Sequence, residues 1–557
     1  MSKFNELLKN LKKSLFGEID KIETNEKRST QKAEKSASPS GEVNRLSTKE
    51  RTEPFIVQIG FDFGTAYSKC VCRDVIANKA WVHVPSVIDD EELPFLMRGT
   101  LLVEDTKLKK LQKGGSTIDK NVLYNLKQAL EKIALQEWND PVLKVYSQVI
   151  GTRDPKKLSS FIEACSVYFL AGALGDIRLK VRQRFDAVTT LPDDYMAVNL
   201  AVPVANAERP VINKTYHKVL CMAWKLADTL AGHPPIALHE LEGLLCCFDK
   251  STQEACFIYP EVSANVQGFV RSRASSRGIY LFSDTGAGTV DQGIFIFDRD
   301  PNKKECLTYL NASVLPLGSS FIERFAAEIS GDSSFNQLEY WRKMKERGDS
   351  AIELTKAREQ VFGRLASGTK NTIETSINKL YVKDQIAGIR VIFGGGGNCA
   401  NPYQSAVMRP FSEIGLKKAF IPDIVGLPYP QDLEIDSSEK RWLNRLSVAY
   451  GLSFLKDELT RFIYPVNVAI PKPEEIWGAK SNSIKKATVN RSCSCGGMNP
   501  DCFRCNGSGV IKQAGRSHSV PSSLSRFQRK ENKKFSRKCM CEGTNKLCLH
   551  CKGTGIL

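Results

Sequence analysis

IGFDFGTAYSKCV at residues 59–71 and YLFSDTGAGTVDQGIFIF at residues 280–297 decide how this chain is read. Each begins as an apolar strand, turns through Asp-x-Gly and runs into a second apolar segment. That is the pattern of a β-hairpin whose turn wraps a phosphate. Gly64, Gly286 and Gly288 leave no side chain between backbone N–H groups and an anion, and glycine tolerates the positive φ angles such a turn uses. Asp62 and Asp284 would repel a phosphate. A carboxylate there makes sense if it holds a hydrated divalent cation, since Mg²⁺ keeps its waters and uses few protein carboxylates. Two such hairpins predict a nucleotide clamped between two similar halves.

Further segments follow in order: VPSVI at 84–88, YPEVSANVQGF at 259–269, LPLGSSF at 315–321, VIFGGGGN at 391–398 and VAYGLSF at 448–454. A Gly-rich run alone is an ordinary turn; its place after an apolar strand, in this order, is what points to a ligand. Together with the two hairpins, the set resembles the actin-like ATPase superfamily, and within it the 70-kDa heat-shock chaperones. It spans about 400 of 557 residues. The resemblance implies an α/β fold: a two-lobed, ribonuclease H-like ATPase domain with ATP or ADP in the cleft. Asp62 and Asp284 would orient hydrated Mg²⁺, with Asp291 a further cation-side carboxylate for Mg²⁺ or K⁺. Glu261 would position the attacking water. Gly64, Thr65, Ala66, Tyr67, Gly286, Ala287, Gly288 and Thr289 would hold phosphates. Gly318 matches a loop that contacts the nucleoside, and Gly394, Gly395, Gly396 and Gly397 match the adenosine motif. The chain departs from the family in three ways. Its Glu-Pro order reads Pro260-Glu261-Val262, the middle Gly of the second motif is Ala287, and no Lys aligns with the chaperones' catalytic Lys. Slow hydrolysis and binding with little turnover both fit.

The organisation reads as four parts. Residues 1–53 are an amphipathic arm, with Phe4, Leu7, Leu8, Leu11 and Leu15 at helical spacing, followed by a polar linker. Such an arm packs locally more often than it lies on a membrane. Residues 54–465 are the ATPase domain, in which FIVQIGF, KCVCRDV, AWVHVPSVI and AVNLAVPV read as strands. FIEACSVYFLAGALGDIRLKVRQRF reads as a long amphipathic helix, and 319–380 as largely helical. AREQVF at 357–362 is placed to offer adenine-facing side chains, by the same resemblance. Residues 466–490 are a linker, and 491–557 a cysteine-rich tail.

The tail contains an internal repeat, CSCGGMNPDCFRCNGSG at 493–509 and CMCEGTNKLCLHCKGTG at 539–555, identical at 8 of 17 positions. Each unit supplies four cysteines: Cys493, Cys495, Cys502 and Cys505, then Cys539, Cys541, Cys548 and Cys551. Four thiolates match a tetrahedral structural Zn²⁺ site, one per unit. The C-x2-C-x-G-x-G half of each unit also resembles the zinc modules of J-domain co-chaperones. The other nine of the 17 cysteines are scattered among apolar neighbours and read as structural filler.

The net charge of +17 is concentrated in the tail, where residues 466–557 hold 17 Lys and Arg against 5 Asp and Glu. SRFQRKENKKFSRK at 525–538 interleaves basic residues with Phe527 and Phe535, a composition suited to phosphate contact and stacking. The tail is therefore expected to engage a protein partner, with nucleic acid the other candidate. No membrane span is expected, because no run approaches 18 apolar residues. Cysteine usage and the absence of an export signal in MSKFNELLKNLKK point to the cytoplasm. The expected function is a chaperone-like ATPase switch acting through its tail. The alternatives are a nucleic-acid-binding adaptor, a filament-forming actin relative, and a sugar or acid kinase.

Overall fold

The computed structural model describes residues 51–464, apart from 52, 112–120, 187–190, 204–208, 247–254, 273–274, 300–304, 381, 400, 414–420 and 436–441, together with 489–492 and 510–513. The chain divides into two compact units, Met1–Ala479 and Lys480–Leu557.

The first unit is built on two sheets with the same connectivity. In the first, β1 (Ile56–Asp62), β2 (Tyr67–Asp74) and β3 (Lys79–Val82) form an antiparallel meander. β4 (Tyr195–Val202) then lies parallel to β1, and β5 (Cys256–Pro260) parallel to β4. The second sheet repeats this pattern. β6 (Gly278–Thr285), β7 (Val290–Arg299) and β8 (Glu305–Leu315) meander, β9 (Arg390–Gly394) lies parallel to β6, and Asp423–Ile424 parallel to β9. Across the sheets the orders are β5-β4-β1-β2-β3 followed by Leu433–Glu434, and Asp423–Ile424-β9-β6-β7-β8 followed by Arg461–Ile463. The molecule is thus an α/β protein made of one topology used twice.

Helices cover both sheets. Over the first pack α1 (Leu126–Ala134), α2 (Pro155–Arg184) and α3 (Pro210–Leu226); over the second, α6 (Ser320–Ser330), α7 (Phe335–Glu346) and α8 (Ile352–Ile377). Between the sheets the chain runs through two short helices, α4 (Glu261–Asn265) and α5 (Gln267–Val270), where the sequence suggested one connecting helix.

β1 is buried along nearly its whole length, which is why FIVQIGF reads as a continuous apolar run rather than an alternating one. The continuation of AWVHVPSVI beyond Val82 is not strand, because Ser86 turns to bond Asp176 through both its N–H and its hydroxyl. α2 starts at Asp154, whose carboxylate accepts from the Lys157 N–H at 2.9 Å, with Pro155 in the first turn and Arg182 and Arg184 in the last. It is not amphipathic as the sequence suggested: burial is nearly continuous from Phe161 to Ile177. By length and composition it could cross a membrane, but 83% of its apolar window is buried inside the protein, as in a core helix. Phe63 stacks on its Phe169 at 5.9 Å, and each such buried side chain contributes about 1.5–3 kcal/mol.

The chain crosses back to the first sheet as α9 (Leu443–Leu452), the VAYGLSF helix, before Arg461–Ile463 pairs with β8 of the second. It fits because of two glycines. A Cβ on Gly60 would stand 2.1 Å from the Ala449 carbonyl oxygen, and one on Gly451 would stand 1.8 Å from that of Ala264.

In the second unit, Val489–Ser492 pairs antiparallel with Val510–Gln513, making Ser492 and Val510 cross-strand partners on either side of the first cysteine repeat. The eight expected zinc ligands lie outside the described residues.

Candidate functional site

The two Asp-x-Gly hairpins sit at equivalent places, at the ends of β1 and β6, where open α/β sheets bind ligands. Their registers differ in one informative way. Asp62 faces Lys69 across the first hairpin, and the two form an ion pair at 2.6 Å. Asp284 faces Asp291 across the second. Like charges directly opposite each other destabilise a sheet, so the second hairpin carries unbalanced negative charge. Burial raises the Asp284 carboxyl to about 7, with Glu261 and Asp62 adding to the shift. Asp291 is pushed well up by burial and then by Glu261. Its Oδ2 accepts from the Thr289 hydroxyl at 2.7 Å, while Oδ1 is buried with no hydrogen-bond partner.

α1 supplies the group that sequence reading missed. Lys127 is buried, and its Nζ donates to Glu261 Oε2 at 2.8 Å. Burial opposes its charge, but Glu261, Asp62 and Asp291 outweigh that and hold the ammonium above its ordinary range. Glu261 opens α4 directly after Pro260, a good helix start for an acidic residue. From the same short helix Asn265 donates to Asp284. Four carboxylates (Asp62, Asp284, Asp291, Glu261) and two ammonium groups (Lys69, Lys127) therefore line one cleft of 670 Å³.

Gly64, Thr65, Ala66, Tyr67, Gly286, Ala287, Gly288 and Thr289 line the same cleft, as do Gly395, Gly396 and Gly397. The Gly286 N–H closes its own hairpin on the Thr289 carbonyl at 3.0 Å. Gly395 has φ +77°, and a Cβ there would stand 2.1 Å from Asp284 Oδ1. This turn is stapled to β6 by Asn398, which bonds the Ser283 carbonyl at 3.0 Å and the Thr285 hydroxyl at 2.9 Å. Gly394 and Gly318 do not line the cleft. Gly394 is the last residue of β9, paired in register with Asp284. Gly318 backs the second hairpin, its N–H donating to the Gly288 carbonyl at 3.2 Å, while Ser319 and Ser320 bond Gly286 and Ala287. LPLGSSF thus braces the hairpin, and Ser319 is its residue facing the cleft.

Arg342, Lys345, Arg358 and Arg445 line the same cleft, together with Asp90, Glu92, Glu323 and Glu346. Arg358 belongs to AREQVF, the segment the sequence placed near a base. Lys345 pairs with Glu323 and donates to the Ser319 carbonyl at 2.8 Å. The mouth is bridged between lobes. Arg342 donates to the Tyr67 hydroxyl at 2.9 Å, and Arg98 pairs with Glu339 at 2.6 Å.

The hairpin carboxylates fit a divalent cation. Buried carboxylates whose ionisation is opposed by burial and by one another, one with an orphaned oxygen, call for added positive charge. Among the described residues no three His, Cys, Asp or Glu side chains are grouped to hold a metal ion. A cation here would be held through its waters and a ligand's phosphates, as Mg²⁺ commonly is.

Two signals in the sequence could have found the missed lysines. Lys69 is the hairpin partner of Asp62 by simple register, and Lys127 falls on the buried stripe with Leu130 and Ala134.

No protein-family model matches this sequence, and no curated protein does. Among solved structures the chain is similar to one described as "pCBH ParM non-polymerisable quadruple mutant", at 12% identity and a TM-score of 0.36, over 72% of this chain and 98% of that one. A likeness of that size carries no argument about function.

Proposed function

We propose that this chain binds Mg²⁺–ATP between its two lobes and hydrolyses it slowly, as an actin-like ATPase of the 70-kDa heat-shock chaperone kind. The observation that carries this reading is the convergence of both Asp-x-Gly hairpins, Glu261 and Lys127 on one 670 Å³ cleft. Mg²⁺ would supply charge neutralisation at the phosphates. Asp62, Asp284 and Asp291 are the residues to hold it through water. Glu261 orients the attacking water and accepts its proton. Lys127 fixes that carboxylate and, with Lys69, offsets charge developing on the transferred phosphoryl group. Such transfer depends mainly on alignment and electrostatics. Arg358 and Arg445, which line the same cleft, would contact the nucleoside.

We further read the two tail repeats as Zn²⁺ sites, on their cysteine spacing and on the strand pairing that joins the ends of the first repeat. The tail is then the partner-binding element in the cytoplasm, with lobe closure as its switch. The test is ATP affinity and turnover of the full chain. Wild type is expected to bind Mg²⁺–ATP and release phosphate slowly, and a variant carrying both Asp62→Ala and Asp284→Ala to do neither. Unchanged ATP binding by that variant would put the site elsewhere.

A further inference from the structure

A second cavity, of 330 Å³, shares no lining residue with the nucleotide cleft. It is enclosed by α2, by the antiparallel pair Leu101–Glu104 and Lys107–Lys110, and by the segment 85–89. That volume suits a small organic ligand. Met97, Leu102, Leu111, Ala173 and Pro235 give it an apolar wall.

Its charges are not balanced. Of the three carboxylates in the lining, Asp89 pairs with Lys110 at 2.7 Å, and Glu104 pairs with Lys109. Asp176 of α2 is buried, yet among the described residues no Lys or Arg stands at ion-pair distance from it. Lys180, one turn further along α2, donates instead to the Val84 carbonyl at 2.6 Å. The Asp176 carboxylate accepts from His83 Nε2 at 3.1 Å, from the Ser86 N–H at 3.1 Å and from the Ser86 hydroxyl. Burial opposes its charge, but the bonds from His83 and Ser86 outweigh that and bring the carboxyl down to about 2. Burial holds the His83 ring below its ordinary range, so it is mostly neutral at pH 7. Asp176 is thus an ionised, buried carboxylate whose partners are all neutral, and such a charge calls for a cation. Three of the roughly four acceptor sites of a carboxylate are filled, which leaves one.

His233 lines the same cavity, at φ +61° directly after Gly232 at +73°. A non-glycine residue keeps that conformation only where its surroundings fix it. Its ring lies against Gly172, where a Cβ would stand 2.4 Å from the ring Cδ2. Nε2 donates to the Phe169 carbonyl at 2.9 Å, so Nδ1 is an acceptor. Burial, then Lys110, bring this imidazole down to about 4, which keeps Nδ1 unprotonated.

We propose that this cavity binds a small organic monocation, a primary ammonium on an apolar body, with Asp176 as its counter-ion. The ammonium has three N–H donors for Asp176 and His233 Nδ1, and the body lies on Met97, Leu102 and Leu111. An anion would meet Asp176 unopposed, and a neutral molecule would leave its charge uncompensated.

One short segment joins this site to the cleft. Pro85, Ser86, Val87 and Asp89 wall the cavity, and Asp90, Glu92, Leu93 and Leu96 line the cleft. Asp89 also accepts from the Arg98 N–H at 2.8 Å, while the Arg98 guanidinium reaches Glu339 of the other lobe at 2.6 Å. A bound amine therefore acts on the segment that carries a contact between the lobes, and changes ATP turnover. That consequence rests on the ATPase reading; the binding does not.

The experiment titrates the full chain by calorimetry with primary amines from butylamine to 2-phenylethylamine, and with the matched alcohols and carboxylates, while ATP turnover is followed in parallel. At least one amine is expected to bind about tenfold more tightly than its alcohol. Asp176→Asn, which keeps the shape of the side chain, should erase that preference. Val87→Trp, at an exposed position of the cavity wall, should weaken the whole series without disturbing the fold. Amines that bind no better than their alcohols would overturn the proposal. So would an amine preference that survives both substitutions, since the amine would then sit elsewhere, the carboxylate-rich cleft included. Binding as expected with ATP turnover unchanged would overturn the coupling alone. A chain that binds no ATP, with or without amine, would refute the ATPase reading and leave the cavity site standing.

Discussion

Lys127 and Asp284 show how single residues answer to charge in this cleft. Lys127 neutralises a carboxylate that would otherwise be buried beside Asp284 and Asp291. Removing one partner of a buried pair costs about 3–5 kcal/mol, whereas replacing both with neutral groups is often tolerated. Lys127→Met should therefore destabilise the fold strongly, and adding Glu261→Gln should restore much of that stability without restoring turnover; thermal melts and phosphate release measured side by side decide this. Asp284 gives a pH signature. Its folded value of about 7 exceeds the ordinary carboxylate value, so the folded state binds the proton more tightly. That contribution to stability is complete below about pH 4 and is lost as pH rises through 7. The ligand-free protein should lose up to about 4 kcal/mol from this group between those limits. Asp284→Asn should flatten the melting temperature against pH over that window, and an unchanged slope would show that Asp284 is not the group responsible.

Turns and helix packing are governed by glycines whose Cβ has nowhere to go. Gly60 and Gly451 let α9 lie directly on β1 and α4, with close approaches of backbone to backbone. Gly395 does a different thing: it clears space over the Asp284 carboxylate at a positive φ. The two positions should separate by readout. Gly60→Ala forces α9 off the sheet and should cost about 1–3 kcal/mol or more in denaturant titrations. Gly395→Ala is expected to abolish or greatly weaken ATP binding, measured by calorimetry, through displacement of Asp284. Equal stability losses at both sites, with ATP binding intact at Gly395→Ala, would contradict this division of roles.

Across the whole molecule, the cleft lies between two lobes of like topology that touch at its mouth through Tyr67, Arg98, Glu339 and Arg342. Phe335 of α7 also joins the small apolar cluster of Leu102, Leu111 and Val122 on the opposite lobe. Among the described residues these rim contacts combine ion pairs and hydrogen bonds with the Phe335 ring, the mixed composition of an interface that is able to open. Arg342→Ala should speed release of a fluorescent ATP analogue in stopped flow by roughly tenfold, the equivalent of about 1.4 kcal/mol, with little change in melting temperature. An unchanged release rate would mean that closure at this point does not hold the nucleotide.

The sequence by itself determined the main strands, the two hairpins and the cleft lining that those hairpins and the Gly-rich turn supply, because apolar runs, Asp-x-Gly turns and their order are local features of the chain. Of AREQVF only Arg358 lines the cleft, and of the Gly-rich turn Gly395, Gly396 and Gly397 do. The sequence did not set Gly318 and Gly394, which do not line the cleft, apart from the residues that do, since facing a cleft and bracing its wall from behind look alike in one dimension. It read α2 as amphipathic because Asp176 and the terminal arginines break its apolar run, although the helix is enclosed by the lobe. Only the tertiary structure decided that Lys127 faces Glu261 across 134 positions of chain. Such a pair is set by how helices lie on sheets, and a solvated lysine has the same local sequence as a buried, partnered one.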